Sequence, residues 1–156
     1  MNEILTLILV LGASAISVGL VVVLNIFLGG WTPARFTHAG AGVARIQEGV
    51  LGFKASGDAV MGRSGRVVLA LEAGGTRLGV AATLGDRTTV RALRHGDVRG
   101  IRLDGATLTI DLTDYTFARV WLTLEDADTA SVWAAHARAF VKTAPVSARP
   151  ESASHA

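Results

Sequence analysis

Ile4 to Leu28 reads ILTLILVLGASAISVGLVVVLNIFL, twenty-five consecutive residues without one charge. As a helix this run is roughly 37 Å long, enough to cross a ~30 Å hydrocarbon core with some tilt. A buried core helix would rarely be apolar on every side for about seven turns. A cleaved signal peptide fits badly. The leader is only Met-Asn-Glu, with no basic region, the run exceeds the ~7–15 residues of a signal core, and no small-residue cleavage site follows. The segment therefore predicts an uncleaved transmembrane anchor over residues 4–28.

The rest of the chain carries all 15 Lys+Arg and 12 of the 13 Asp+Glu, a net charge of +3. There is no cysteine, which excludes disulfides and thiolate metal sites. Arginine outnumbers lysine 13 to 2, the usage of a GC-rich bacterial genome. Arg35 and Arg45 follow the anchor, whereas Glu3 precedes it. That small bias places the N-terminus outside and the C-terminal domain in the cytoplasm. Trp31 and Phe36 sit where interfacial aromatics belong, and Pro33 stops the helix. Residues 29–49 read as a linker. The tail 143–156, rich in Ala, Ser and Pro, has no apolar period and reads as disordered.

Between these, residues 50–142 are punctuated by glycine turns. Val50–Ser56, Arg66–Glu72, Thr76–Leu84 and Thr88–Arg94 have strand character, with Leu78, Val80, Ala82 and Leu84 on one face. VRGIRL-DG-ATLTIDL is a hairpin signal, because Asp-Gly supplies the positive φ angles of a type I′ turn. Leu108, Ile110 and Leu112 alternate with polar residues, as do Val120, Leu122 and Leu124. About seven short antiparallel strands imply a sandwich or barrel. The run then changes period. After Asp126 or Asp128 as N-cap, Thr129, Trp133, Ala137 and Phe140 fall on one helical face, with Ser131, Arg138 and Lys142 opposite. A helix with this stripe can plug one open end of a small sandwich.

Seven strands followed by a Trp-bearing helix resemble the pleckstrin-homology-like fold. LRHGDVRGIRLDGATLTIDLTDYTFARVWLTLEDADTASVWAAHARAF is similar to the second half of bacterial PH-like domains, which commonly sit beside transmembrane helices. The resemblance covers roughly Val50 to Val141, and an OB-type barrel is the structural alternative. It implies a single-pass protein of the bacterial inner membrane with an all-β PH-like domain and a C-terminal capping helix.

No catalytic or metal-binding signature accompanies this fold. HExxH, G-x-S-x-G and Walker motifs are absent, and the four histidines have no ligand spacing. Asp111 and Asp114 read as solvated hairpin acids. The expectation is a non-catalytic binding module without a cofactor, serving as an accessory, assembly or scaffold subunit of a membrane complex. Trp121, placed outward with Arg119, is the candidate partner contact of the domain. Gly12, Ala15 and Gly19 share one face of the anchor, where another helix or a second copy could pack closely. The alternative is a membrane-surface sensor, with Arg87, Arg91, Arg94, Arg99 and Arg102 gathered against anionic lipid. Nucleic acid is disfavoured, since no aromatics interleave with these arginines.

Overall fold

The computed structural model describes residues 2–28 and 34–142. Trp31, Pro33 and the tail 143–156 lie outside them. The apolar run is one helix, α1 (Asn2–Phe27), none of whose residues is buried. It is long and apolar enough to cross a membrane. Its Thr6 and Ser17 hydroxyls donate to the carbonyls of Asn2 and Ala13, each 2.9 Å away and four residues back. These polar groups are thereby satisfied inside the helix, as an apolar surrounding demands.

Seven antiparallel strands form two sheets. The first, in the order β1 (Ala55–Met61), β2 (Val67–Glu72), β3 (Leu78–Leu84), β4 (Arg87–Leu93), is a meander. The second is β5 (Val98–Asp104), β6 (Thr107–Leu112), β7 (Arg119–Thr123). The hairpin expected at Asp104-Gly105 is present but shifted by one residue. Asp104 pairs with Thr107, so the central residues are Gly105 and Ala106. Only Gly105 has positive φ (53°), which is the II′ pattern with glycine at the first central position, not I′.

Between the sheets, Leu69, Leu78 and Val80 meet Leu108, Ile110, Leu112, Val120 and Leu122. Helix α3 (Ala127–Arg138) closes this layer with Ala130, Trp133, Ala134 and Ala137, and Phe140 follows just beyond it. Asp126 is its N-cap: the carboxylate accepts from the N–H (2.6 Å) and hydroxyl (3.0 Å) of Thr129. Those bonds, the backbone one first, hold the Asp126 carboxyl below its usual range. The C-terminal end of the helix is fixed where β4 passes to β5. The Phe140 carbonyl accepts from Gly96 N–H, and a His95 ring nitrogen bonds the Ala139 carbonyl.

Residues 29–49, read above as a linker, contain instead a second domain helix, α2 (Ala39–Gly49), capped by the His38 side chain. It covers the outer face of the first sheet, where Ile46, Phe36 and Phe53 pack on Val68, Ala70 and Ala81. Phe36 is therefore a core residue and not an interfacial one. Close approach depends on two glycines. A Cβ on Gly42 would lie 2.5 Å from the Val68 side chain, and one on Gly79 would lie 2.8 Å from Ile46 and Phe53. The first strand also starts later than expected. Val50–Lys54 is the connection from α2, and the strand is Ala55–Met61.

That connection is held by an ion pair that has no sequence signature. Glu72 is 7% exposed, and Arg77 across the β2–β3 turn binds both its oxygens. The same guanidinium donates to the Gly52 carbonyl (2.8 Å) and lies 5.5 Å over the Phe53 ring. Arg77, helped by the Thr76 hydroxyl, pulls the Glu72 carboxyl down to about 2. A carboxylate depressed in the folded state stabilises fully above its ordinary 4.5 and loses that contribution as pH falls toward 2. In melts of the full chain from about pH 5 to pH 3, the wild type should lose more Tm than Glu72→Gln. Parallel Tm profiles would remove Glu72 as the acid-sensitive group.

A candidate partner-binding surface at the edge of β7

β7 alternates Val120 and Leu122 into the core with Arg119, Trp121 and Thr123 outward. The outward residues lie in rows across the second sheet, Thr109 beside Trp121 and Asp111 beside Arg119. Among the described residues, no helix covers this face. Trp121 is 60% exposed. Asp111 is held between two arginines, with Arg119 Nε at 2.6 Å and Arg102 Nη2 at 3.1 Å. Arg119 above all, then Arg102, keeps the Asp111 carboxyl below its usual range.

β7 is also an edge strand. Leu112 N–H donates to the Ala118 carbonyl, and Leu124 N–H to the Ala106 carbonyl. Antiparallel pairing bonds alternate residues to the neighbour, so Val120 and Leu122 face β6. Arg119, Trp121 and Thr123 then turn their backbone N–H and C=O groups to the free side. Among the described residues only the last of these is engaged there: the Thr123 carbonyl accepts from Arg63 N–H (2.8 Å).

Alongside this edge the two sheets part. Leu84 continues the inward row of Leu78, Val80 and Ala82, but the second sheet does not reach it, and it is 60% exposed. The opening is a cleft of ≈ 140 Å³ with a floor of Val67, Ala82, Phe117 and Val120 and a rim including Arg66, Leu84, Arg119 and Trp121. Two arginines and no acid line it. A larger groove of ≈ 450 Å³ between α2 and β4 is polar, with Arg45 and Glu48 paired to each other at 3.2 Å.

The cleft lies where the chain arrives from α1. Ala34 N–H donates to the Gly85 carbonyl (2.8 Å), and Phe36 N–H to the Gly65 carbonyl (2.7 Å). The β1–β2 turn supplies Ser64 and Arg66 to the cleft, and the end of β3, just before the β3–β4 turn, supplies Thr83 and Leu84. From Leu28 to Ala34 is six residues, a reach of at most about 20 Å.

The other sequence candidates are dispersed. Arg87 and Arg94 stand at opposite ends of β4, roughly 23 Å apart at strand spacing. Arg91 pairs with Asp114 (3.6 Å) and lies 6.0 Å over the Phe117 ring. Arg99 and Arg102 are on β5, in the other sheet. Gly12 and Gly19 have no atom within 4 Å of an added Cβ, so among the described residues nothing packs on that part of α1. Among the described residues, no cluster of three or more His, Asp or Glu could hold a metal, and every buried side-chain polar atom is paired. Of the residues that line the cleft, the sequence reading named Trp121 and Arg119 as a candidate contact, did not name Ser64 or Arg66, and placed Leu84 only as one of a row on its strand. The signal available was MGRSGRVV, whose two glycines flank a turn bearing two arginines. No protein-family model, characterised protein or solved structure matches the chain.

Proposed function

We propose that the protein is a single-pass, membrane-anchored binding module without catalytic activity, an accessory, assembly or scaffold subunit of a bacterial inner-membrane complex. In this reading the domain is PH-like, the N-terminus lies outside and the domain faces the cytoplasm. The two-sheet arrangement with a terminal helix supports the PH-like assignment, and Arg35 and Arg45 support the orientation. The observation that carries the reading is Trp121. A large aromatic left open on an uncovered sheet face, next to a cleft with an apolar floor, is the kind of anchor that partners bury. Gly12, Ala15 and Gly19 would add a helix contact inside the bilayer.

The test is affinity purification of the full chain from membranes in mild detergent. Trp121→Ala should lose at least about 2 kcal/mol of binding, the scale of a hot-spot aromatic, and so release a partner retained by wild type and by Arg138→Ala. Retention of that partner by Trp121→Ala would refute the assignment. One observation favours a second reading. Arg35, Arg63, Arg66 and Arg87 are exposed on or beside the turns that receive the chain from the anchor, where each could attract anionic lipid by about 1 kcal/mol. Co-purification of anionic lipid without any protein would support it.

A further inference from the structure

We infer that the β7 edge takes an extended, acidic segment of a membrane protein as an added strand, with Trp121 and the cleft holding one of its apolar side chains. The inference rests on the partner-binding reading above and specifies its chemistry. Three observations fix the occupant. The backbone groups of Arg119 and Trp121 face an edge that no described residue pairs, and such an edge is a template for another strand. The cleft beside it holds ≈ 140 Å³, well below the roughly 300–1,000 Å³ of ordinary small-molecule pockets. It suits a single side chain projecting from a strand, whose neighbours in sequence point the other way. On its rim Arg66 has no acid partner among the described residues, and Arg119 shares the single carboxylate of Asp111 with Arg102, so the edge stays net positive and carboxylates on the incoming segment are favoured.

The position of the edge limits where that segment lies. The turn that sends Arg63 N–H to Thr123 O closes one end of the β7 edge, so the added strand pairs with the stretch at Arg119 and Trp121. The same turn, with Gly65, receives the chain at Phe36, a few residues after the anchor. The segment captured is therefore juxtamembrane in its own protein.

The probe is a labelled six-residue peptide alternating glutamate with valine or leucine, titrated by fluorescence anisotropy onto the full chain in mild detergent. It should bind at least about tenfold tighter than its glutamine counterpart, and Arg66→Gln with Arg119→Gln should erase that ratio. Trp121→Ala should abolish binding of both peptides. Methylating the backbone amides of alternate residues should abolish binding in one set and spare it in the other, because an added strand bonds only every second residue. Equal affinity for the acidic and glutamine peptides, no binding by either, or indifference to both methylation sets would overturn the inference. If Trp121→Ala releases the native partner while the peptide results fail, the binding module stands and the strand mode falls. If the peptides behave as expected but the partner stays on Trp121→Ala, the edge takes acidic strands and the partner-binding assignment is the one lost.

Discussion

Trp133→Ala should unfold or nearly unfold the domain, at a cost of roughly 3–5 kcal/mol. Trp133 is buried on α3 against the layer between the sheets, with the His136 ring edge-on at 5.5 Å. Truncation removes its contacts on one side of the core and opens the end that α3 plugs. Because α3 is docked through Ala130, Ala134 and Ala137, the helix is too close to the sheets for neighbours to fill the void. Arg138→Ala, on the solvent side of the same helix, should change stability by less than about 0.5 kcal/mol. Thermal or urea unfolding of both variants in detergent checks the contrast. Equal, small effects would mean that α3 is not part of the cooperative unit.

Ile46→Ala should cost roughly 2–5 kcal/mol, the range for a fully enclosed aliphatic side chain. Ile46 is 0% exposed and lies between α2 and the outer face of the first sheet. It tests whether α2 is structure or tether, since a linker helix would tolerate the change. Gly42→Val gives an independent check from the opposite direction. Its Cβ would fall 2.5 Å from the branched Val68 side chain, which is too stiff to step aside. Wild-type stability in both variants would return residues 39–49 to the role of linker.

The two helices show what the sequence could and could not reveal. α3 was legible because Trp133, Ala137 and Phe140 fall on one face and Asp126 supplies a cap. α2 was not, because AGAGVARIQEG is short, carries three glycines and buries little beyond Ile46 and Gly42. Its glycines looked like linker composition, yet Gly42 is there to let backbone and sheet approach. The cover it provides was nevertheless written in its partner strands. VVLAL in β2 and GVAA in β3 are apolar at consecutive positions, which a strand with one wet face would not be.

The site divides along the same line. Trp121 was placed by strand alternation alone, because β7 has a clean period of two. The cleft was not legible, since it joins residues about 55 positions apart in sequence and depends on where the sheets part. Leu84 satisfied the inward pattern and still lies in the open, because pattern gives a direction and not a neighbour. Arg87, Arg91, Arg94, Arg99 and Arg102 are spread for a related reason: spacing along β4 and β5 does not reveal that the strands belong to different sheets.

The most direct test of the account places a photo-crosslinking amino acid at Thr109, beside Trp121 on the same sheet face, in the full-length protein, with Ala135 on the exposed side of α3 as reference. Irradiation of intact membranes should give one discrete adduct from position 109, mapping to a membrane protein, and none from position 135. Adducts of equal yield and identity from both positions, or none from position 109, would contradict the claim that this face is the binding surface.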